Sequence, residues 1–503
     1  MVDYFLDARV REGMGERTAV RVGQDSWTYR EVQAASNRVA NVLQERGIGI
    51  EDRVLLLLPD GIAFVESWCG LLKAGAVFCM GNPLLGEEYV DHLLSYTRAK
   101  AVIACTSTIE RIAPALERHP RCSLRLSVGG VHEGWESYEE AVAAQSDRAT
   151  NAATRRDDVA GWLFTSGTTG KPKGAMHCHD HFPYNVECYA KNVLGLGPDD
   201  VFVSVSRLFF GYATGTNLMF PFAVGGTAVL FPEKPTPDRL FDHVEAHGVT
   251  VLTNVPAMIR QMVDSPRADS VNLSSVRMCL SAGEALPAEL YQRWIARWPK
   301  AEILDGIGSA EMFHIYITNR LGDVKLGSLG RIVEGYEARL VNPEGDDVPN
   351  GEHGRLWVRG RSAALGYFGD QNKTRATFKA DWCVTADLMR KDDDGYYYYA
   401  GRADDMLKVR GQFVSPLEIE DCLATHPAVR ECAVVGVPDD AGLTIPKAFV
   451  VVRDGHEAGT ALSSELQDWA REKLARYKYP RAVAYLEALP RNDRGKVMRR
   501  TLQ

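Results

Sequence analysis

Phosphate chemistry is written most densely between Thr165 and Gly174, TSGTTGKPKG, directly behind the apolar run Trp162-Leu163-Phe164. Gly167, Gly170 and Gly174 let backbone N–H groups turn inward. Thr165, Ser166, Thr168 and Thr169 offer hydroxyl donors, and Lys171 and Lys173 bring positive charge. A Walker A loop is excluded, because that motif opens a helix on Gly-Lys-Ser/Thr and here Lys171 is followed by Pro172. A second constellation is Asp305-Gly306-Ile307-Gly308-Ser309-Ala310-Glu311, where two acids frame glycines downstream of the phosphate loop. Before it, the small residues of Ser281-Ala282-Gly283-Glu284-Ala285 would let a flat ring lie against backbone. Two aromatic segments, Leu208-Phe209-Phe210-Gly211-Tyr212 and Met312-Phe313-His314-Ile315, read either as core or as the walls of a flat apolar pocket.

These residues need an alternating scaffold. Helical periodicity from Thr28 through Val32, Val39, Val42 and Leu43 gives way to short apolar strands at Val54-Leu58, Ala101-Ala104, Val201-Ser204, Ala228-Phe231 and Val251-Asn254. That rhythm predicts an α/β fold with mixed sheets flanked by helices. Between Gly351 and Tyr399 the pattern turns to strands and turns, which predicts a β-rich subdomain. A second, smaller α/β unit comes after it, with a helix near Pro416-Leu423, strands at Cys432-Val437 and Ala448-Val452, and a helix from Ser464 to about Ala475. The chain passes between the units around Gly401-Asp405. The expected division is therefore 1–403 and 404–503, and 144–157 is expected to be a loose segment.

The 503 residues are 45% hydrophobic, ample for large cores, and carry a formal charge of −8 with basic residues gathered only in the short stretch from Arg491 to Arg500. A nucleic-acid partner is therefore not expected. Ten scattered cysteines without CxxC pairs, and no secretory leader, fit a reduced cytoplasmic setting. No apolar run approaches the ~20 residues that span a bilayer, so no membrane partner is expected. His177-Cys178-His179-Asp180-His181 has metal-binding residue types, yet alternate residues on a strand face opposite ways, and no metal cluster is expected there.

The phosphate loop is similar, almost letter for letter, to the signature of the adenylate-forming superfamily of acyl-CoA and aryl-CoA synthetases. The resemblance runs from Thr28-Tyr29 to Lys496. It implies ATP and AMP contacts by Thr165, Ser166, Gly167, Thr168, Thr169, Gly170 and Lys173, and by Gly283, Glu284 and Ala285. Asp305, Gly306, Ile307 and Gly308 would border the adenine, and Glu311 would hold magnesium. Asp387, in Val384-Thr385-Ala386-Asp387-Leu388, matches the family's ribose-binding aspartate. Gly401-Arg402-Ala403-Asp404-Asp405 resembles the crossover motif, with Arg402 on the nucleotide and Asp404 as the hinge of a mobile C-terminal domain. Leu489-Pro490-Arg491-Asn492-Asp493-Arg494-Gly495-Lys496 looks like the loop of the catalytic lysine, so Lys496, Glu311 and Thr165 are the implied catalytic residues. Phe210, Gly211, Tyr212, Gly283, Gly308, His314 and Ile315 would line an aryl pocket of the benzoate-CoA ligase kind. Lys408, Arg410 and Gly411 would meet coenzyme A.

The resemblance implies an ATP-, Mg2+- and coenzyme A-dependent ligase for a small aromatic carboxylic acid such as benzoate or a hydroxy- or aminobenzoate, working as a homodimer. Two alternatives stand beside it: an adenylation enzyme loading an aryl acid onto a carrier-protein thiol, and an inactive adenylate-binding relative. The second is motivated by Ala310, which stands where the family's threonine hydroxyl reaches the α-phosphate. A lost hydrogen bond to a charged group costs about 1.5–3 kcal/mol. Ile307 in place of tyrosine points to the benzoate branch, and Ala386 replaces the usual glycine.

Overall fold

The computed structural model describes the chain except residues 166–170, 410–411, 440–442, 476, 492–496 and 503, and it leaves the side chains of 404, 408, 412 and 413 undescribed. The first long helix, Tyr29–Glu45, starts where the sequence places it. Thr28 caps it: the Glu31 N–H donates to the Thr28 hydroxyl at 3.2 Å, and the Thr28 N–H donates to the Glu31 carboxylate at 2.7 Å.

Two large sheets dominate. In a seven-stranded sheet, Glu136–Ser137, Leu124–Val128, Ala101–Cys105, Arg53–Leu57, Val77–Met80 and Val159–Thr165 run parallel in that spatial order, and Lys173–Cys178 closes the edge antiparallel. A nine-stranded sheet has a parallel centre through Thr18–Val22, Thr227–Leu230, Val201–Ser204, Val251–Asn254, Met278–Ser281 and Glu302–Gly308. Antiparallel strands flank that centre on both sides. Central strands such as Val77–Met80, Val251–Asn254 and Met278–Ser281 are buried at every residue, the pattern of parallel strands covered on both faces. One buried core joins the sheets: Val54, Leu56, Phe78 and Leu163 of the first share it with Val20, Phe202, Leu230 and Leu304 of the second, and Trp68, Phe182 and Phe220 lie among them.

The β-rich unit starts earlier than the sequence indicates. Its sheet contains Glu337–Val341, His353–Arg359, Trp382–Lys391 and Phe378–Lys379, with Tyr397–Arg402 paired to Trp382–Lys391. The smaller unit holds the hairpin Leu407–Val409/Gln412–Val414, the helices Pro416–Ala424 and Thr460–Lys473, and a sheet of Val429–Pro438, Thr444–Val452 and Ala482–Tyr485.

The segment 144–157 is not loose. Its carbonyls are held by side chains of the first helix, Asn37 to Asp147 at 2.8 Å and Asn41 to Ser146 at 2.9 Å, and the Ala152 N–H donates to the Lys73 carbonyl at 2.7 Å. Lys73 is itself buried and bonded to Asp7 at 2.6 Å, and Asn151 donates to the same carboxylate at 2.8 Å. A buried ammonium needs such partners, and the segment supplies one of them. Among the described residues no helix is long and apolar enough to cross a membrane.

Candidate active site

The strands Val159–Thr165 and Glu302–Gly308 and the turn after Met278–Ser281 end on one cavity of about 750 Å³, as expected where the carboxyl ends of parallel strands meet. Its wall includes Thr165, Lys173, Gly283, Glu284, Ala285, Asp387 and Arg402, together with the continuous run Gly306 to Glu311. The opposite side comes from the smaller unit, with Glu420, Glu431, Leu489, Arg491, Val497 and Arg499.

Thr165 and Lys173 pair directly across the phosphate loop, so both stand at its mouth. Ser166, Gly167, Thr168, Thr169 and Gly170 lie outside the described residues. The Lys173 ammonium is 2.8 Å from Asp370, which also accepts from the Lys373 N–H at 2.9 Å. These two donors, Lys173 first, hold the Asp370 carboxyl below its ordinary range. Asp370 was not foreseen, since a lone Asp before a short helix reads as an ordinary cap.

Glycines shape the acidic segment. Gly306 and Gly308 sit in the antiparallel pair with Ile315–Thr318, and a Cβ there would come within 2.8 Å of the Ile317 carbonyl and 2.4 Å of the His314 carbonyl. Gly283 has φ of 94°, a left-handed turn that favours glycine. Between the paired strands the turn forces Phe313 to φ of 70°, and the ring is held by Phe182 at 4.6 Å. Glu311 rides on this turn. Its Oε1 accepts from the Tyr367 hydroxyl at 2.5 Å, and its carbonyl accepts from the Ala364 N–H at 2.8 Å. Oε2 accepts from none of the described residues. Tyr367 is a site residue that motif reading missed, and only the fold brings it to Glu311.

Asp305 lies just behind the wall, buried, and accepts from the Ser281 hydroxyl at 2.8 Å across neighbouring parallel strands. Burial pushes its carboxyl up to about 7, against the pull of Ser281 and of the Leu286 and Gly306 N–H groups. The Ala310 carbonyl accepts from the His177 ring at 2.7 Å, and burial brings that histidine down to about 3, so it is neutral.

Strand register joins two motifs fifteen residues apart. Asp387 is paired with Arg402 in the antiparallel ladder, with the guanidinium 4.0 Å from its carboxylate and the Tyr399 hydroxyl 3.5 Å away. Lys496 lies outside the described residues, but Arg491 and Val497 bridge to each other beside the cavity, so the base of its loop reaches the wall. Arg410 and Gly411, and the side chains of Lys408 and Asp404, are also outside the described set.

Of the aryl set, Gly283 and Gly308 are on the cavity wall, whereas Phe210, Gly211, Tyr212, His314 and Ile315 are not among the residues that line it. The His314 ring stacks on Tyr212 with centroids 5.4 Å apart, and its Nε2 lies 3.1 Å from the Tyr212 carbonyl. Its Nδ1 is buried with no partner among the described residues. Burial lowers the ring to about 4, so it is a neutral wall rather than a cation. A Cβ on Gly211 would meet Leu163 at 3.4 Å, an ordinary contact.

Known proteins share the sequence pattern and the fold of this chain. The AMP-binding enzyme family matches residues 6–368, and the AMP-binding enzyme C-terminal domain matches 418–496. The chain is 39% identical to benzoate–CoA ligase of Thauera aromatica, over 99% of this chain and 94% of that one. Among solved structures it resembles the anthranilate CoA ligase AuaEII in complex with anthranoyl-AMP, with a TM-score of 0.95, 36% identity, and 100% and 96% of the two chains covered. It also resembles a benzoate CoA ligase from Burkholderia xenovorans LB400, with a TM-score of 0.91, 38% identity, and 100% and 99% covered.

Proposed function

The chain belongs to the AMP-binding enzyme family, and from that premise we propose that it is an ATP-dependent aryl-acid:CoA ligase acting through an aryl-adenylate in the cytoplasm. The observation that carries this reading is the convergence on one cavity of the phosphate-loop mouth, the Asp387–Arg402 pair and the Gly306–Glu311 run.

The acid's carboxylate oxygen attacks the α-phosphorus of ATP, forming the acyl–phosphate bond as the bond to pyrophosphate breaks. Coenzyme A thiolate then attacks the acyl carbon, and AMP leaves with the electron pair of the broken C–O bond. The protein's contribution is positioning and neutralisation of charge. Thr165 and Lys173 stand where the phosphates would enter, Asp387 would accept from ribose hydroxyls, and Asp305 stands behind the Gly306–Gly308 wall that would border the adenine. Lys496 delivers a point charge to the attacked phosphate. Glu311 fits a magnesium ion, since Tyr367 engages one carboxylate oxygen and the other takes no donor from the described residues. When bound, that ion would neutralise phosphate charge.

For the second step we propose that residues 404–503 rotate as a unit about Asp404 against 1–403, withdrawing Lys496 and presenting Lys408, Arg410 and Gly411 to the pantetheine arm. The ring of benzoate or of a hydroxy- or aminobenzoate would lie against Gly283 and Gly308 of the cavity wall, with Phe210, Gly211, Tyr212, His314 and Ile315 behind that wall as the aryl side of the site.

The test is benzoate-dependent exchange of labelled pyrophosphate into ATP, and then thioester formation with coenzyme A or with a phosphopantetheinylated carrier protein as acceptor. Exchange with benzoates and transfer to coenzyme A are expected. No exchange with any aryl acid would leave an adenylate-binding relative, and transfer only to the carrier would leave an adenylation enzyme.

A further inference from the structure

We propose that Asp60 is a positioning residue for the aryl acid: it clamps the Leu208–Tyr212 segment to the other sheet and so sets the width of the ring slot. The proposal rests on the aryl-CoA ligase reading of that segment.

Asp60 comes after the strand Arg53–Leu57 of the seven-stranded sheet, and Leu208 after the strand Val201–Ser204 of the nine-stranded one. Asp60 is 4% exposed, and its Oδ1 accepts from the Leu208 N–H at 2.9 Å. Its other oxygen lies 3.8 Å from Arg207, whose guanidinium sits 4.7 Å over the Phe231 ring and donates to the Phe231 carbonyl at 2.6 Å. A carboxylate taken out of water costs free energy unless such donors meet it, so it is a poor choice for inert packing. The donor it meets is the N–H two residues before Phe210.

The same segment has a second anchor. The buried Thr214 hydroxyl donates to the Leu208 carbonyl at 2.6 Å, and the Phe210 N–H returns to the Arg207 carbonyl at 2.9 Å. Leu208 is thus held at its N–H from one sheet and at its carbonyl from the next helical turn. Beyond it, Gly211 faces Leu163, which belongs to the strand that ends at Thr165. Asp60 therefore fixes the distance between the aryl segment and the strand that feeds the phosphate loop. No motif marks it, because only the meeting of the two sheets brings it to Leu208.

The experiment measures KM for benzoate and for ATP in pyrophosphate exchange, together with the ratio of kcat/KM for benzoate and a ring-substituted benzoate. Asp60→Ala should raise KM for the acid about tenfold and move that ratio, while KM for ATP stays within about twofold. Asp60→Asn keeps an acceptor oxygen for Leu208 and should recover most of the loss. Thr214→Val conserves volume and removes the second anchor, so it should shift the acid's KM in the same direction even if Asp60→Ala does not fold. Unmoved acid constants in both folded variants, or equal rises for acid and ATP, would overturn the clamp. Absence of aryl-acid-dependent exchange in the unmodified protein would overturn the ligase reading and the clamp together.

Discussion

Arg491 spans the cavity. One amino group lies 3.2 Å from Glu284, on the segment after Met278–Ser281, and the other lies 3.1 Å from Glu431 of the smaller unit. Because Arg491 also bridges to Val497, one residue past Lys496, this contact ties the ends of the segment proposed to carry the catalytic lysine to the cavity wall. Arg491→Met should slow adenylate formation about fivefold, the equivalent of roughly 1 kcal/mol for a partly exposed pair. Thioester formation from supplied aryl-adenylate should be unaffected. Lys496→Ala sets the scale for the same split, with a loss of ~10²–10³-fold in the first half-reaction alone. Equal losses in both half-reactions would refute the assignment of these residues to the adenylating arrangement.

Tyr367 orients Glu311 by taking one of its oxygens at 2.5 Å. Removing that hydroxyl leaves the carboxylate free to turn. Tyr367→Phe is therefore expected to raise the magnesium concentration for half-maximal exchange about tenfold, as loss of a partner behind a metal ligand does. An unchanged titration curve would mean that Glu311 does not hold the ion.

Asp305 should make stability depend on pH. Its folded-state value of about 7 lies above the ordinary 3.8, so the native state keeps the proton over that interval and the unfolded chain does not. Stability then falls as pH rises from about 4 to about 7, by up to roughly 4 kcal/mol from this group. Asp305→Asn cannot ionise, so its melting temperature relative to the unmodified protein should climb between pH 5 and pH 8. Parallel profiles would show that the carboxyl is ionised throughout.

Ala310 lines the cavity beside Glu311 with its carbonyl tied to His177. A hydroxyl placed there would face phosphate, so Ala310→Thr should raise the adenylation rate or tighten ATP binding about tenfold. The readout is single-turnover adenylate formation, and no gain would mean that another donor already fills the place.

Much of the molecule was legible in the residues. Strands such as Val54-Leu58 and Val251-Asn254 are short apolar runs between helices, and the helical periodicity from Thr28 to Leu43 corresponds to the helix Tyr29–Glu45. Less legible were features whose signal is not local. The β-rich sheet gains Glu337–Val341 by pairing with His353–Arg359, and 144–157 looks loose by composition yet is held by Asn37, Asn41 and Lys73.

The sequence by itself determined the chemistry, because phosphate binding needs hydroxyls, glycines and lysines at close spacing, and Thr165 to Gly174 provides them within ten residues. It also determined the family and the candidate acids Asp305, Glu311 and Asp387. Tertiary structure alone decided what those groups touch. Tyr367 meets Glu311 across 56 positions and Asp60 meets Leu208 across 148. His314, expected from the sequence only as one of the residues lining an aryl pocket, is a neutral ring stacked on Tyr212. Such pairings arise from sheet register and from the burial of apolar faces against each other, and neither is carried by the residues flanking the groups that meet.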